Sequence, residues 1–253
     1  MKIDVIGSGS AFSKVNNTSA LHISDEASKQ WLIDCGPTVP RALWQRDLEV
    51  NAIDVIYFTH IHPDHSTGLT ALLNNWKSFK REKALHIYCQ REQREPLQAL
   101  VSLAIWPQTS IGFEITWHDI EEAFSWQNWH LQTASTQHEM SNKAIRISVD
   151  NQVLFYSGDG RPTAATEALM QGADLAFQEC ASFQSLAHDA SHGDYGDCVR
   201  LLKQGGIGHL GLYHCFDDAI ADLKKASQSV EKLFVSRDGL NLDLAQLPTS
   251  IAL

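Results

Sequence analysis

Short apolar runs rich in isoleucine and valine alternate with amphipathic stretches along the whole chain. Ile3 to Ile6 reads as a strand, and Ala20 to Ser24 and Trp31 to Cys35 as the next two. TVPRALWQRDL has helical spacing. AIDVIYFT, Ala52 to Thr59, carries apolar residues on both faces, the pattern of a strand buried on both sides. HSTGLTALLNNWKSF then sets Leu69, Leu72, Leu73 and Trp76 on one face of a helix. ALHIYC predicts a strand, EPLQALVSLAIW a helix, and Phe113 to Leu131 two strands, with NWHLQTAST, which overlaps the end of that stretch, read as the strand before His138. AIRISVDNQVLFYSGD has the form of a hairpin turning at Asp150-Asn151. Thr163 to Met170 is helical and ADLAFQEC a strand. DCVRLLKQGG is a helix that stops at its glycines. IGHLGLYHC is a strand, DDAIADLKKASQSVEKL a helix, and Asp238-Gly239 turns a last hairpin.

Antiparallel strands followed by strand–helix alternation occur once in each half. This order predicts two packed sheets with helices outside, a four-layer αββα sandwich of the α/β class. No linker or low-complexity tract interrupts residues 1–253, so a single domain is expected. No stretch approaches the roughly 18 apolar residues of a membrane span. MKIDVIGSGSAFSK breaks at Gly7 and reads as a strand, not a signal peptide. Cys35, Cys89, Cys180, Cys198 and Cys215 are scattered, odd in number and form no CxxC pair, which argues against disulfides and for a cytoplasmic protein. The formal net charge of −10 lacks the basic footprint of a nucleic-acid binder and points to a small-molecule substrate.

One stretch departs from this ordinary pattern. In IYFTHIHPDHSTGL, His60, His62, Asp64 and His65 crowd the end of the clearest buried strand. The mouth of a sheet is where ligands usually bind. In an extended loop His60 and His62 point the same way. Pro63 forces a turn, and Asp64 and His65 open the following helix facing back. Two pairs of donors on two sides of one loop suit two adjacent ions. Imidazole with carboxylate suits zinc first, with manganese or iron as alternatives. Further donors must lie at other strand ends. His138 follows NWHLQTAST, Asp159 follows QVLFYSG between two glycines, and His214 follows IGHLGLY. His60, His62 and His138 are therefore assigned to one metal and Asp64, His65 and His214 to a second. Asp159 bridges both, as in paired-metal hydrolytic sites.

THIHPDH resembles the HxHxDH motif of the metallo-β-lactamase superfamily, and the order of the seven residues is similar to its dinuclear sites. GSGSAF near the start and LIDCG at Leu32 to Gly36 extend the resemblance over nearly the whole chain. It implies that Asp34 supports the ligands. YSGDGRP looks like the GDTRP-type stretch of the ribonuclease Z-like and phosphodiesterase branch. FQECASF looks like its HEAT-type stretch, with Gln178 in place of the histidine, and SHGDYGDCVRLL like the segment in which a histidine opens a helix. In that branch the Asp64 position acts as general base, and the His192 position donates a proton, oriented by the Glu179 position. A homodimer is implied by the resemblance alone.

The implied activity is metal-dependent hydrolysis by activated hydroxide, with a small organic or nucleotide phosphodiester as first substrate class. Lactone or carboxylic ester hydrolysis on the same scaffold is the alternative, and a sensor that binds without turnover a third. tRNA 3′-processing ranks lower. Only 20 residues separate His138 from Asp159, and no long arm for a tRNA elbow is evident. His22, His86, His118, His130, His188 and His209 are left as structural or surface residues. The tryptophans at 76, 106, 117, 126 and 129 are expected in the core.

Overall fold

Two seven-stranded sheets face one another in the computed structural model, which describes residues 1–248 and Ile251. The first sheet holds β1 (Lys2–Gly7), β2 (Ala20–Ser24), β3 (Gln30–Ile33), β4 (Val55–Tyr57), β5 (Leu85–Cys89), β6 (Ile115–Asp119) and β14 (Asn241–Asp243). The second holds β7 (Ala123–Trp126), β8 (Trp129–Ser135), β9 (Lys143–Val149), β10 (Gln152–Tyr156), β11 (Leu175–Glu179), β12 (His209–Tyr213) and β13 (Leu233–Val235). The spatial orders are β14-β1-β2-β3-β4-β5-β6 and β13-β12-β11-β10-β9-β8-β7. In each, antiparallel pairing gives way to parallel pairing, from β3 onward in the first and from β10 onward in the second. Helices α1 (Val39–Trp44), α2 (Pro63–Ser66), α3 (Gly68–Ser78) and α4 (Arg94–Ile105) belong to the first half. α5 (Ala164–Met170), α6 (Tyr195–Gln204) and α7 (Ile220–Ser227) belong to the second. Among the described residues no helix is long and apolar enough to cross a membrane.

Alternation along the strands divides the apolar residues into three layers of packing. Ile3, Val5, Ile33 and Tyr57 meet Ile145, Ile147, Tyr156 and Phe177 between the sheets. The next residues along, such as Leu32, Ile56 and Phe58, turn outward to Leu69, Leu72, Leu73 and Trp76. Phe155, Leu210 and Leu212 do the same toward Met170, Leu201 and Leu223. This is the expected αββα sandwich, and β4 is buried on both faces as its sequence predicts.

Several local expectations change. Only Val55–Tyr57 of the 52–59 run pairs as strand, because the Thr59 carbonyl accepts from Lys143 N and Gln90 Nε2 instead of extending the ladder. The helix expected across 65–79 breaks after Ser66, where Gly68 N donates to Cys35 O. Residues 113–131 hold β6, β7 and the start of β8, not two strands. The Asp150-Asn151 turn forms as predicted, with φ of 53° and 58°. The last hairpin does not form. β13 pairs with β12 while β14 pairs with β1, so the Asp238-Gly239 turn carries the chain from one sheet to the other. Trp76, Trp126 and Trp129 are core residues as expected. Trp31 stacks on Trp129 at 5.1 Å, whose indole donates to Asp25 at 2.8 Å. Trp117 is half-buried, and Trp106 is exposed.

Candidate metal centre

The chain leaves β4 through Phe58 and Thr59 and remains extended to His62 (φ −53°, ψ 151°), which caps the short helix α2. Pro63 occupies its first position, where a missing N–H costs nothing. His60 and His62 consequently project to one side. Asp64 and His65, inside the helical turn, project to another. The second sheet supplies the remaining residues one at a time. His138 lies in the loop between β8 and β9, Asp159 just beyond β10, and His214 just beyond β12 with φ 56°.

All seven residues meet in two groups. The donor atoms of His60, His62 and His138 lie within 4.8 Å of one another, as do those of Asp64, His65, Asp159 and His214. His62 Nδ1 is 3.1 Å from His60 Nε2 and 3.2 Å from His138 Nε2. Asp159 Oδ1 is 3.2 Å from His65 Nε2, and Asp159 Oδ2 is 3.2 Å from His214 Nε2 and 3.9 Å from His60 Nε2. Asp159 thus stands between the groups. Two donors held about 2.1 Å from one ion at a tetrahedral angle stand about 3.4 Å apart, close to these separations.

The hydrogen bonds behind the rings fix their tautomers. Thr59 Oγ1 donates to Asp34 Oδ2 at 2.8 Å and so accepts from His60 Nδ1 at 3.1 Å. His65 Nδ1 donates to Asp34 at 2.8 Å, and His138 Nδ1 donates to Ser191 O at 2.9 Å. Each ring therefore turns an Nε2 lone pair inward, the arrangement in which an outer hydrogen bond prepares a histidine for a metal. His65 Nε2, Asp159 Oδ1 and His214 Nδ1 are buried without a hydrogen-bond partner. Converging lone pairs and orphaned buried donors fit a cation.

Charge leads to the same fit. Burial would raise the Asp159 carboxyl, but His214, His65 and His60 hold it well below the usual carboxylate range. Burial would lower His214, yet Asp159 first, then Asp64 and Glu179, push it up to about 10. The carboxylates demand compensating positive charge, which divalent ions supply more directly than protonated rings. His60 is held well below the ordinary histidine value, by burial first and then by His65.

Beside the second group, Glu179 is fully buried at the end of β11. Its carboxylate accepts from His192 Nδ1 and from Gly160 N. Glu179, His192, Asp159 and His214 also lie close enough to form a third donor group. The His192–Glu179 contact in this group is already a satisfied hydrogen bond. His192 keeps part of its ring exposed to a cavity of about 670 Å³. That volume suits a small molecule. Gln178, standing where the resemblance puts a histidine, donates from Nε2 to Gly160 O at 3.2 Å and Glu179 O at 3.3 Å, so it ties the Gly160 loop to the end of β11.

Sequence reasoning missed several supports. Asn142 is buried. Its Oδ1 accepts from Asp159 N at 3.1 Å, and its Nδ2 donates to Thr136 Oγ1 at 2.9 Å and Ser157 O at 2.8 Å. Gly158, with φ 61°, has no room for a Cβ, which would sit 2.2 Å from Asn142 Oδ1. Thr59 and the aromatic residues Phe12 and Phe216 at the cavity were also overlooked. Only Thr59 had a local signal, its place directly before the first histidine. The unassigned histidines lie apart from the metal groups: His22 pairs with Gln30 at 2.8 Å and His86 with His118 at 3.0 Å.

Comparison with known proteins places this geometry among relatives. The family model described as Anti-Pycsar protein Apyc1 matches residues 1–235. The Anti-Pycsar protein Apyc1 of Paenibacillus xerothermodurans is 30% identical over 176 residues, covering 64% of this chain and 66% of that protein. A ribonuclease Z of Halalkalibacterium halodurans is 20% identical, covering 90% of this chain and 93% of that one. Among solved structures, the metallo-β-lactamase fold protein YhfI of Bacillus subtilis superposes with a TM-score of 0.81 at 21% identity, covering 95% and 98% of the two chains. The short form of human tRNase Z superposes with a TM-score of 0.80 at 18% identity, covering 96% and 99%.

Proposed function

We propose that this chain, which belongs to the Anti-Pycsar protein Apyc1 family and is a metal-dependent hydrolase of the metallo-β-lactamase fold, is a phosphodiesterase acting on a small organic or nucleotide phosphodiester. The observation that carries this reading is the His192–Glu179 pair beside the two donor groups. A poor alkoxide leaving group needs a proton as its bond to phosphorus breaks, and a histidine oriented by a buried carboxylate can give it.

His60, His62 and His138 would hold one ion and Asp64, His65 and His214 the other, with Asp159 shared; zinc suits the donors best, manganese or iron less well. Such a pair of ions, when bound, lowers the pKa of water toward neutrality and offers positive charge to the phosphoryl oxygens. Asp64, at the start of α2 and facing the cavity, orients the attacking water and takes its proton. His192 Nε2, left inward by the Nδ1–Glu179 bond, gives a proton to the departing oxygen. Asp34 and Thr59 keep His60 and His65 in the required tautomers throughout.

The test is metal content together with turnover of bis(p-nitrophenyl) phosphate and 3′,5′-cyclic mononucleotides. About two ions per chain with cleavage of a diester supports the reading. Two ions without diester cleavage, but with turnover of a lactone or carboxylic ester, replaces it by the ester reading. A second reading, tRNA 3′-processing, is favoured by the ribonuclease Z relatives and opposed by the net charge of −10. Cleavage of precursor tRNA faster than of any small diester would establish it. We further propose that the chain acts as one domain and as a homodimer, which sedimentation of the metal-loaded protein tests.

A further inference from the structure

We propose that Phe12 and Phe216 form an aromatic subsite at the cavity mouth that takes a flat aromatic substituent of the phosphodiester, an aryl group or a nucleobase. This rests on the phosphodiesterase reading and specifies the substrate class at that site.

Both side chains line the same cavity as Asp64, Asp159, His192 and His214. Phe12 is 93% exposed and Phe216 40%. One exposed aromatic residue needs no explanation. Two at one mouth, on loops fastened to each other, do. The fastening is extensive. Ser13 Oγ and Lys14 N donate to the two oxygens of Asp217, at 2.5 and 2.8 Å. Ser13 Oγ in turn accepts from Val15 N and Asn16 N. His214 N donates to Ser8 O at 2.7 Å, and Gly9 bridges to Cys215. Asp238 holds the loop from its other side, accepting from Ser8 N at 3.0 Å and Asn17 N at 2.7 Å. Ser13 and Lys14 after Phe12, and Cys215 and Asp217 around Phe216, are thus held, and an aromatic face presented by held backbone binds without the cost of ordering a loop.

Position and charge narrow the ligand. The Phe216 ring stands 6.0 Å from the His192 ring, so the subsite adjoins the group that protonates the leaving oxygen. Lys14 is the one lysine or arginine among the cavity-lining residues, against Glu139, Asp217 and Asp218 besides the two central aspartates. A polyanion meets repulsion at this rim. A singly charged diester carrying an uncharged ring meets far less. Stacking on an aromatic side chain tolerates any flat ring, because every base presents a π-face.

The experiment is calorimetric titration of the metal-loaded protein with diphenyl phosphate and with dimethyl phosphate, two monoanions that differ in their rings. Wild-type protein binds diphenyl phosphate at least about tenfold more tightly, the scale of one stacking contact. Phe12→Ala and Phe216→Ala each reduce that ratio severalfold, the double variant abolishes it, and Phe12→Tyr restores it. Circular dichroism and metal content confirm that each variant is folded and loaded. An equal affinity for the two phosphates in the wild type, or a ratio unmoved in the double variant, overturns the subsite. Selective binding of diphenyl phosphate without cleavage of any diester would uphold the subsite and sink the phosphodiesterase reading. Diester cleavage with an unmoved ratio would do the reverse.

Discussion

Four of the converging side chains come from the six positions His60 to His65 at the end of β4, whereas the other three arrive singly from the ends of β8, β10 and β12. The first half therefore builds its share of the centre from local geometry: an extended segment, a proline and one helical turn. The second half builds its share from register, since three strands must align before His138, Asp159 and His214 come within reach. The supports differ accordingly. Behind the first set lies one buried carboxylate, Asp34, which reaches both Thr59 and His65. Behind the second lies a mesh of Asn142, Ser157, Tyr213 and Glu179 that ties loop to loop. A contiguous set tolerates shifts between strands; a dispersed one does not.

Asp159 belongs to the second donor group and stands 3.9 Å from His60 of the first, and its proposed service to both ions makes its replacement the most severe test of the comparison. Asp159→Asn is expected to lower diester turnover by at least about a thousandfold, since the ions it helps hold supply several kcal/mol of transition-state stabilisation. Metal analysis should show depletion of both sites, and retention of two ions would break the shared role. His192→Ala is expected to lower kcat by about 10²- to 10⁴-fold with metal content intact. Burial alone would lower the His192 pKa, but the Glu179 carboxylate outweighs it and raises it. The acid form thus persists above the ordinary histidine value, and activity declines as pH rises through the raised one. Glu179→Gln should move that alkaline limb to lower pH; an unmoved limb would detach His192 from it.

Asp34→Asn and Asn142→Ala sharpen the comparison from either side, each expected to cost about 10- to 100-fold in metal affinity or activity. The first should weaken the His65 site and the second the shared aspartate, distinguishable by titrating metal into the apo protein. The smallest effect is expected of Gly36→Ala. A Cβ there would lie 1.8 Å from the Asp64 carbonyl oxygen, and one added at Gly68 would lie 2.0 Å from Gly36 O. The backbones must part, at a cost of about 1–3 kcal/mol in unfolding free energy. Urea denaturation measures it, and an unchanged midpoint would show that the first half is more pliant than its close packing implies.

The same contrast explains what could be read from the chain. His60, His62, Asp64 and His65 announce themselves because their spacing is local. His138, Asp159 and His214 are legible because each follows an apolar strand, a weaker cue that the fold turns into proximity. Asn142 carried no cue: an asparagine in a polar loop says nothing of the Asp159 amide it will meet. The misread hairpin at Asp238-Gly239 has the same origin. Two short strands around an Asp-Gly turn satisfy every local rule for pairing, yet Leu233–Val235 finds β12 and Asn241–Asp243 finds β1. Which partner a strand takes depends on edges that lie far away in sequence.

That crossing has a consequence for biosynthesis. β1 is made more than two hundred residues before its partner: one of its flanks pairs with residues 241–243, aligned Lys2 to Asp243 and Asp4 to Asn241. Until residues 241–243 are made and paired, that flank stays open, an unpaired edge able to recruit a neighbouring nascent chain. Pairing with β14 closes it, so chains in which β14 has not yet paired are the ones most exposed to aggregation.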